Sequence, residues 1–284
     1  MRDDFAVFIL THGRPLKVKT FNTLKRLGYT GKIYLIIDNE DKEKKSYLEQ
    51  FGAQVIIFDK KETGKYFDIG DNFDSLRGVV YARNANFKIA KDLGIKYFLQ
   101  LDDDYVKFDW RFNRNLDYAA NVCRSLDSVF SSLLYFLEKT PIKCIALAQG
   151  GDFIGGSGNQ NAEKVTLTRK CMNSFFCKTD DDFKFLGRIN EDVIAYTCPS
   201  NPKDIFFTSN HVSLTQTVTQ SNSGGMTELY LDAGTYVKSF YSVIFRPSCV
   251  KVKILNGNTA KRLHHLVQWK NAVPLILSEH IKKL

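Results

Sequence analysis

The chain has 284 residues, 44% hydrophobic and 25% charged, enough for one large α/β domain or a core with an appended subdomain. No apolar run approaches the roughly 18 residues of a membrane-crossing helix. Six scattered cysteines (Cys123, Cys144, Cys171, Cys177, Cys198, Cys249), with no Cys-x-x-Cys pair, argue against a zinc ribbon or a disulfide framework.

Met1-Arg2-Asp3-Asp4 leads into a short strand without a signal-peptide pattern, so a soluble, cytoplasmic protein is expected. The net charge is +9, and Lys238 to Leu284 carries +8 of it: nine Lys and Arg against one acid, Glu279. Such a segment suits a polyanion or an acidic nucleotide donor, and equally a helix of solvated lysines.

The first predicted strand is Phe5 to Leu10, followed by the loop Thr11-His12-Gly13-Arg14-Pro15 and a helix from about Leu16 to Leu27, closed by Gly28. A second strand, Lys32 to Ile37, ends at Asp38. A charged helix reaches Phe51, and a third strand spans Gln54 to Phe58. After a polar loop, a helix over about Val79 to Leu93 precedes the strand Tyr97 to Leu101, which delivers Asp102-Asp103-Asp104. Strands that are apolar throughout and alternate with helices predict a largely parallel sheet covered on both faces, with ligands beyond the carboxyl ends of the strands. The second half reads as mixed α+β: a helix over 121–138, a short strand over 143–149, a Gly-rich loop over 150–158, and then short strands to about Lys253. The stretch Thr215 to Gly225 reads as mobile, and a last helix is expected over Thr259 to Lys270, followed by Pro274 and a short terminal helix.

Three adjacent carboxylates at a strand end repel one another unless a cation or hydrogen-bond donors compensate. In an extended segment Asp102 and Asp104 share a side, an oxygen-donor pair suited to Mg²⁺ or Mn²⁺ on a diphosphate; an acidic solvated turn is the alternative. Gly13 and Arg14 offer close backbone approach and anion pairing, or a plain strand-to-helix turn. Asp38 could accept hydrogen bonds from a base or ribose, or cap a helix. Arg83 and Asn84 sit near a helix start, where a forked guanidinium could hold phosphate or base oxygens, or pair with an acid. Gly150-Gly151-Asp152 could bring backbone near a sugar, with Asp152 accepting its hydroxyls and Gln149 and Asn173 as polar contacts; a flexible connector is the other reading. Trp110-Arg111-Phe112 and Trp269 could stack on an extruded base or simply pack the core. Asp180-Asp181-Asp182 has no apolar strand before it and reads as a solvated turn.

The order Gly78, Ala82-Arg83-Asn84, Ile89-Ala90, Tyr97-Phe98-Leu99, Asp102-Asp103-Asp104 resembles the nucleotide-sugar-binding half of GT-A glycosyltransferases. With the runs 148–156, 169–177, 187–192, 224–232 and 234–241, the chain resembles the TET-associated glycosyltransferases of bacteriophages from about Phe5 to the last predicted helix. The resemblance implies a single GT-A, Rossmann-like domain over 1–284, with a nucleotide-sugar half (5–120) and an acceptor half (121–284). It implies a sugar, glucose from UDP-glucose, moved to 5-hydroxymethylcytosine or a related hydroxymethylpyrimidine in phage DNA, in the host cytoplasm. Asp104 would be the principal ligand of Mn²⁺ or Mg²⁺, Asp102 would touch the ribose or support the metal, and Thr11, Asp38 and Arg83 would frame the nucleotide. Asp192, with Glu191 as runner-up, would be the base, and His264 or its neighbour His265 a late metal ligand; capping acids and a structural histidine are the alternatives. A GT-A transferase with a glycan, lipid or protein acceptor, and an inactive GT-A-shaped nucleic-acid-binding module, stay open beside it.

Overall fold

In a computed structural model the described residues are 1–73, 75–181, 183–197, 205–217, 237–256 and 261–272. One sheet of nine strands organises them, in the order β3-β2-β1-β4-β8-β7-β9-β5-β6. The expected parallel core is its first part: β1 (Phe5–Leu10), β2 (Lys32–Asp38), β3 (Val55–Phe58) and β4 (Tyr97–Asp102). All six residues of β1 are buried, and their side chains divide with period two. Phe5, Val7 and Ile9 join one core cluster, with Phe21 and Leu24 of α1 (Lys19–Arg26); α2 (Lys44–Phe51) adds Tyr47. Ala6, Phe8 and Leu10 join the other, with Val80, Tyr81 and Ile89. Those three belong to α4 (Val80–Asp92), which follows the short α3 (Lys60–Gly64). A strand without a polar side is therefore stable here because helices cover both faces.

Beyond β4 the sheet is mixed. β8 (Ser174–Lys178) runs antiparallel to both β4 and β7 (Ile142–Gln149), whereas β9 (Ile205–Gln216) is parallel to β7. β5 (Tyr105–Phe112) and β6 (Tyr118–Val122) finish the far edge, so the sheet does not divide at residue 120. Only Asp103 and Asp104 connect β4 to β5. Three residue steps reach about 11 Å. Four flat strand spacings would need about 19 Å. The sheet must therefore curl until the starts of β5 and β8 and the ends of β4, β7 and β9 meet at one mouth. Thr20 pins the link from below: its hydroxyl donates to the Asp102 carbonyl (2.6 Å) and accepts from Tyr105 N–H (2.9 Å).

The helix expected over 121–138 is α5 (Leu126–Lys139), and its first residues belong to β6. After α6 (Gln160–Glu163) and α7 (Glu191–Tyr196) comes α8, over 237–245. Of the helix expected over 259–270, the described residues Lys261–Val267 form a strand instead. β10 (Val250–Asn256) and β11 (Lys261–Val267) pair as an antiparallel ribbon, and only Trp269–Ala272 is helical (α9). Leu263, Leu266 and Val267 have helical spacing (i, i+3, i+4), and their pairing with Ile254, Lys251 and Val250 makes a strand of them instead. Most of 215–225, the motifs at 224–232 and 234–236, Cys198 and residues after 272 lie outside the described residues. The other five cysteines are free and buried.

Candidate active site

The turn after β4 separates its three acids. Asp103, 1% exposed, faces the β1 loop and accepts from Thr11 Oγ1 (2.6 Å) and Arg14 Nε (2.7 Å). Tyr47 OH lies 2.8 Å from Thr11 Oγ1 and accepts from Arg14 N–H (3.0 Å). Gly13, at φ 67°, donates its N–H to Asp41 Oδ2 (2.8 Å), a conformation that favours glycine. Thr11 to Arg14 is thus a loop built by buried acids, and Arg14 is anchored to Asp103. Period two alone turns Asp103 away from its neighbours and assigns it no further role.

Asp38, at the end of β2, is 5% exposed and engaged by the protein itself: His12 Nδ1 (2.8 Å), Lys60 Nζ (2.9 Å) and Glu40 N–H (3.0 Å). Against the upward push of burial, His12 and Lys60 hold its carboxyl at about 2, and the His12 imidazole is raised in turn by Asp38. His12 and Lys60 were not among the expected site residues.

Asp102 and Asp104 remain at the mouth, each partly exposed. Burial, with Asp102 and Asp103 adjacent, pushes Asp104 up to about 6; among the described residues its side chain accepts from Thr217 Oγ1, at a long 3.4 Å. Burial also raises Asp102, opposed by Arg83 and Arg14. The turn therefore holds more negative charge than its neighbours neutralise, and a divalent cation would balance it. Among the described residues no group of three or more His, Cys, Asp and Glu assembles into a metal site. The protein offers the pair Asp102 and Asp104, and His264 is not brought into one ligand set with them.

Arg83 is 3% exposed and far from free. Its Nε donates to Glu191 Oε1 (2.9 Å), its Nη2 stands 3.5 Å from Asp102 Oδ1, and its guanidinium lies over Phe175 (4.7 Å). Its Nη1 is buried without a partner among the described residues. One cation, 108 positions from Glu191 in sequence, thus joins the acids of the turn after β4 to those of α7. Burial pushes both Glu191 and Asp192 up, against the pull of Arg83. Glu191 is the more buried. Asp192 is half-buried, takes Val193 N–H on Oδ1 (2.8 Å), and has Lys170 and Lys238 as cationic neighbours.

At the other rim, Asp152 Oδ2 accepts from Gln149 N–H (2.9 Å) and Arg169 Nη2 (2.8 Å). A side chain at Gly150 would meet Thr215 Oγ1 at 2.9 Å, whereas Gly151 faces open space. The close backbone approach is therefore Gly150 against β9, and Gly151 leaves room. Asn173 presents its carbonyl to Tyr105 OH (2.7 Å). Trp269 stacks on Tyr196 at 5.8 Å and Trp110 packs on the core, the packing alternative for both. Asp181 lies near Lys143 and Lys178 at 3.7 and 4.0 Å, as a surface turn would. A cavity of about 290 Å³ between α1 and α2, lined by Pro15, Leu16, Phe21 and Phe51, includes none of these carboxylates.

His264 and His265 are successive strand residues with rings 4.2 Å apart. By register His264 shares a face with Lys253, and His265 with Val252. Burial, with His264, Lys170 and Lys238 nearby, lowers His265 to about 3, and its Nδ1 is buried without a partner among the described residues. Neither histidine is grouped with Asp102 and Asp104 among the described residues.

A family model described as TET-Associated Glycosyltransferase matches residues 5–225. Among solved structures, the chain is similar to glucosyl-3-phosphoglycerate synthase from Mycobacterium tuberculosis in complex with Mn²⁺, UDP and phosphoglyceric acid. That match has 10% identity over 98% of this chain and 90% of that chain, with a TM-score of 0.47. It is also similar to S. aureus TarS 1–349, at 11% identity over 75% of this chain and 60% of that chain, with a TM-score of 0.43. No curated protein matches. Among the described residues no helix is long and apolar enough to cross a membrane.

Proposed function

The chain belongs to the TET-associated glycosyltransferase family and is a glycosyltransferase; from that premise we propose that it moves glucose from UDP-glucose to the hydroxymethyl group of 5-hydroxymethylcytosine, or a related hydroxymethylpyrimidine, in phage DNA. The observation that carries this reading is Arg83, buried between Asp102 and Glu191, because it fixes a donor-side acid and an acceptor-side acid around one mouth.

Asp102 and Asp104, the two partly exposed carboxylates at the mouth, would hold Mn²⁺ or Mg²⁺ beside the donor diphosphate. When bound, the ion neutralises charge on the departing diphosphate. The loop Thr11 to Arg14, shaped by Asp103 and Asp41, frames the nucleotide beside Asp38, with Gly151 and Asp152 toward the sugar. Asp192 takes the proton of the acceptor hydroxyl as that oxygen bonds to carbon one of the sugar; the bond from carbon one to the diphosphate breaks, and its electron pair leaves with UDP. Burial strengthens Asp192 as a base, since a raised carboxylate competes better for that proton near neutral pH. Glu191, tied to Arg83, orients α7 and does not need to meet the acceptor. A base still stacked in the duplex cannot reach this mouth, so the target base is flipped out.

The test is incubation of hydroxymethylcytosine DNA with Mn²⁺ and a panel of nucleotide sugars, followed by mass spectrometry of the released nucleosides. A hexose adduct is expected with UDP-glucose. No adduct with any donor would remove the DNA acceptor.

A further inference from the structure

We propose that the outer face of the β10–β11 ribbon is the surface on which the nucleic-acid backbone docks, with Lys251 and Lys253 as its phosphate contacts. The inference rests on the DNA-acceptor reading above and locates the polyanion on one element of the molecule.

The ribbon's two faces differ in kind. Cross-strand partners share a face, and the register pairs Lys251 with Leu266 and Lys253 with His264. That face is outward: both lysines are exposed, and Leu266 is 43% exposed. The other face carries Val250, fully buried, and Val267, both packed on the core, then half-buried Val252 and His265, and only at its far end the exposed Ile254. From position 237 to 272 the sequence has seven Lys and Arg and no acid. Lys251 and Lys253 form no ion pair among the described residues. A surface of one sign, with charges two residues apart on one strand, matches a chain of phosphates.

Position supports the assignment as much as charge does. The ribbon ends against α7, the helix that begins with Glu191 and Asp192. Gln268 N–H donates to the Cys249 carbonyl, and Trp269 stacks on Tyr196, the last residue of α7. Arg246, just before β10, donates from Nε to the Ile194 carbonyl (3.2 Å), and Asn190 Nδ2 donates to the Lys238 carbonyl of α8 (2.6 Å). On the inner face, His265 has as cationic neighbours the Lys170 and Lys238 that flank Asp192. A backbone lying on Lys251 and Lys253 is therefore one short element away from the carboxylate that takes the acceptor proton.

The experiment measures binding of hydroxymethylcytosine duplex by fluorescence anisotropy from about 50 to 300 mM salt, for the wild type, K251Q/K253Q and the control K45Q/K61Q. Neutralising two phosphate contacts should lower the slope of log Kd against log salt by about 2 and weaken binding about 10-fold near 0.15 M salt. The affinity for UDP with Mn²⁺ and the melting temperature should stay unchanged, and the control should keep the wild-type slope. A wild-type slope in K251Q/K253Q, with DNA glucosylation by the wild type intact, would overturn the ribbon assignment alone. An equal loss in the control would overturn it too. A wild type that neither binds nor modifies this DNA would overturn the acceptor reading and the ribbon with it.

Discussion

The end of β2 and the head of α7 both bury carboxylates, and they treat them in opposite ways. Asp38 is held by an imidazole, an ammonium and a backbone N–H, and its carboxyl falls to about 2. Glu191 has the guanidinium of Arg83, shared with Asp102, and Asp192 has Arg83, Lys238 and Lys170 near it without an ion pair among the described residues; burial pushes both acids up. The first arrangement keeps a permanent anion as scaffold. The second leaves proton affinity near the range in which a base works. Burial alone does not distinguish scaffold from chemistry; the number of donors does.

The comparison breaks most visibly at Asp104. Asp104→Ala should lower Mn²⁺-dependent UDP release from UDP-glucose about 10³-fold, roughly 4 kcal/mol. Activity retained within about 10-fold would remove the ion from that turn. Arg83→Met should cost about 3 kcal/mol or more of stability in urea melts, because two acids lose their buried partner. Its residual activity should also show a displaced pH profile, which simple loss of packing would not produce. Asp192→Asn should lower kcat about 10²-fold with the donor KM unchanged, whereas Glu191→Gln should cost less rate and more stability. The reverse ranking would make Glu191 the base.

The smallest effect is also the sharpest in sign. Asp104 is raised in the folded protein, so its contribution favours folding at low pH and is lost as pH rises through about 6. Asp104→Asn should therefore stabilise the metal-free protein by about 1 kcal/mol at about pH 7.5, discounted for partial exposure, and by nothing near pH 4. Thermal melts at the two pH values measure it.

Reading by period succeeded where the information was local. The runs Phe5 to Leu10 and Tyr97 to Leu101 are buried on both faces, and α4 lies within a residue of its expected span. It failed where partners are remote. Nothing near Leu263 or His264 reveals that residues 250–256 pair with them, and Arg83 meets Glu191 only after the sheet has curled. The acids themselves were visible in the sequence. That Asp103 would build the Arg14 loop while Asp104 stayed short of donors depends on a two-residue turn whose side chains local pattern does not orient.

That turn has a mechanical consequence. The halves to either side of it share one unbroken set of backbone ladders, and the shortest tie between them carries the acids at the mouth. Rotating one half as a rigid body would tear ladders and drag those acids along, so the described part of the sheet is built to move as one piece.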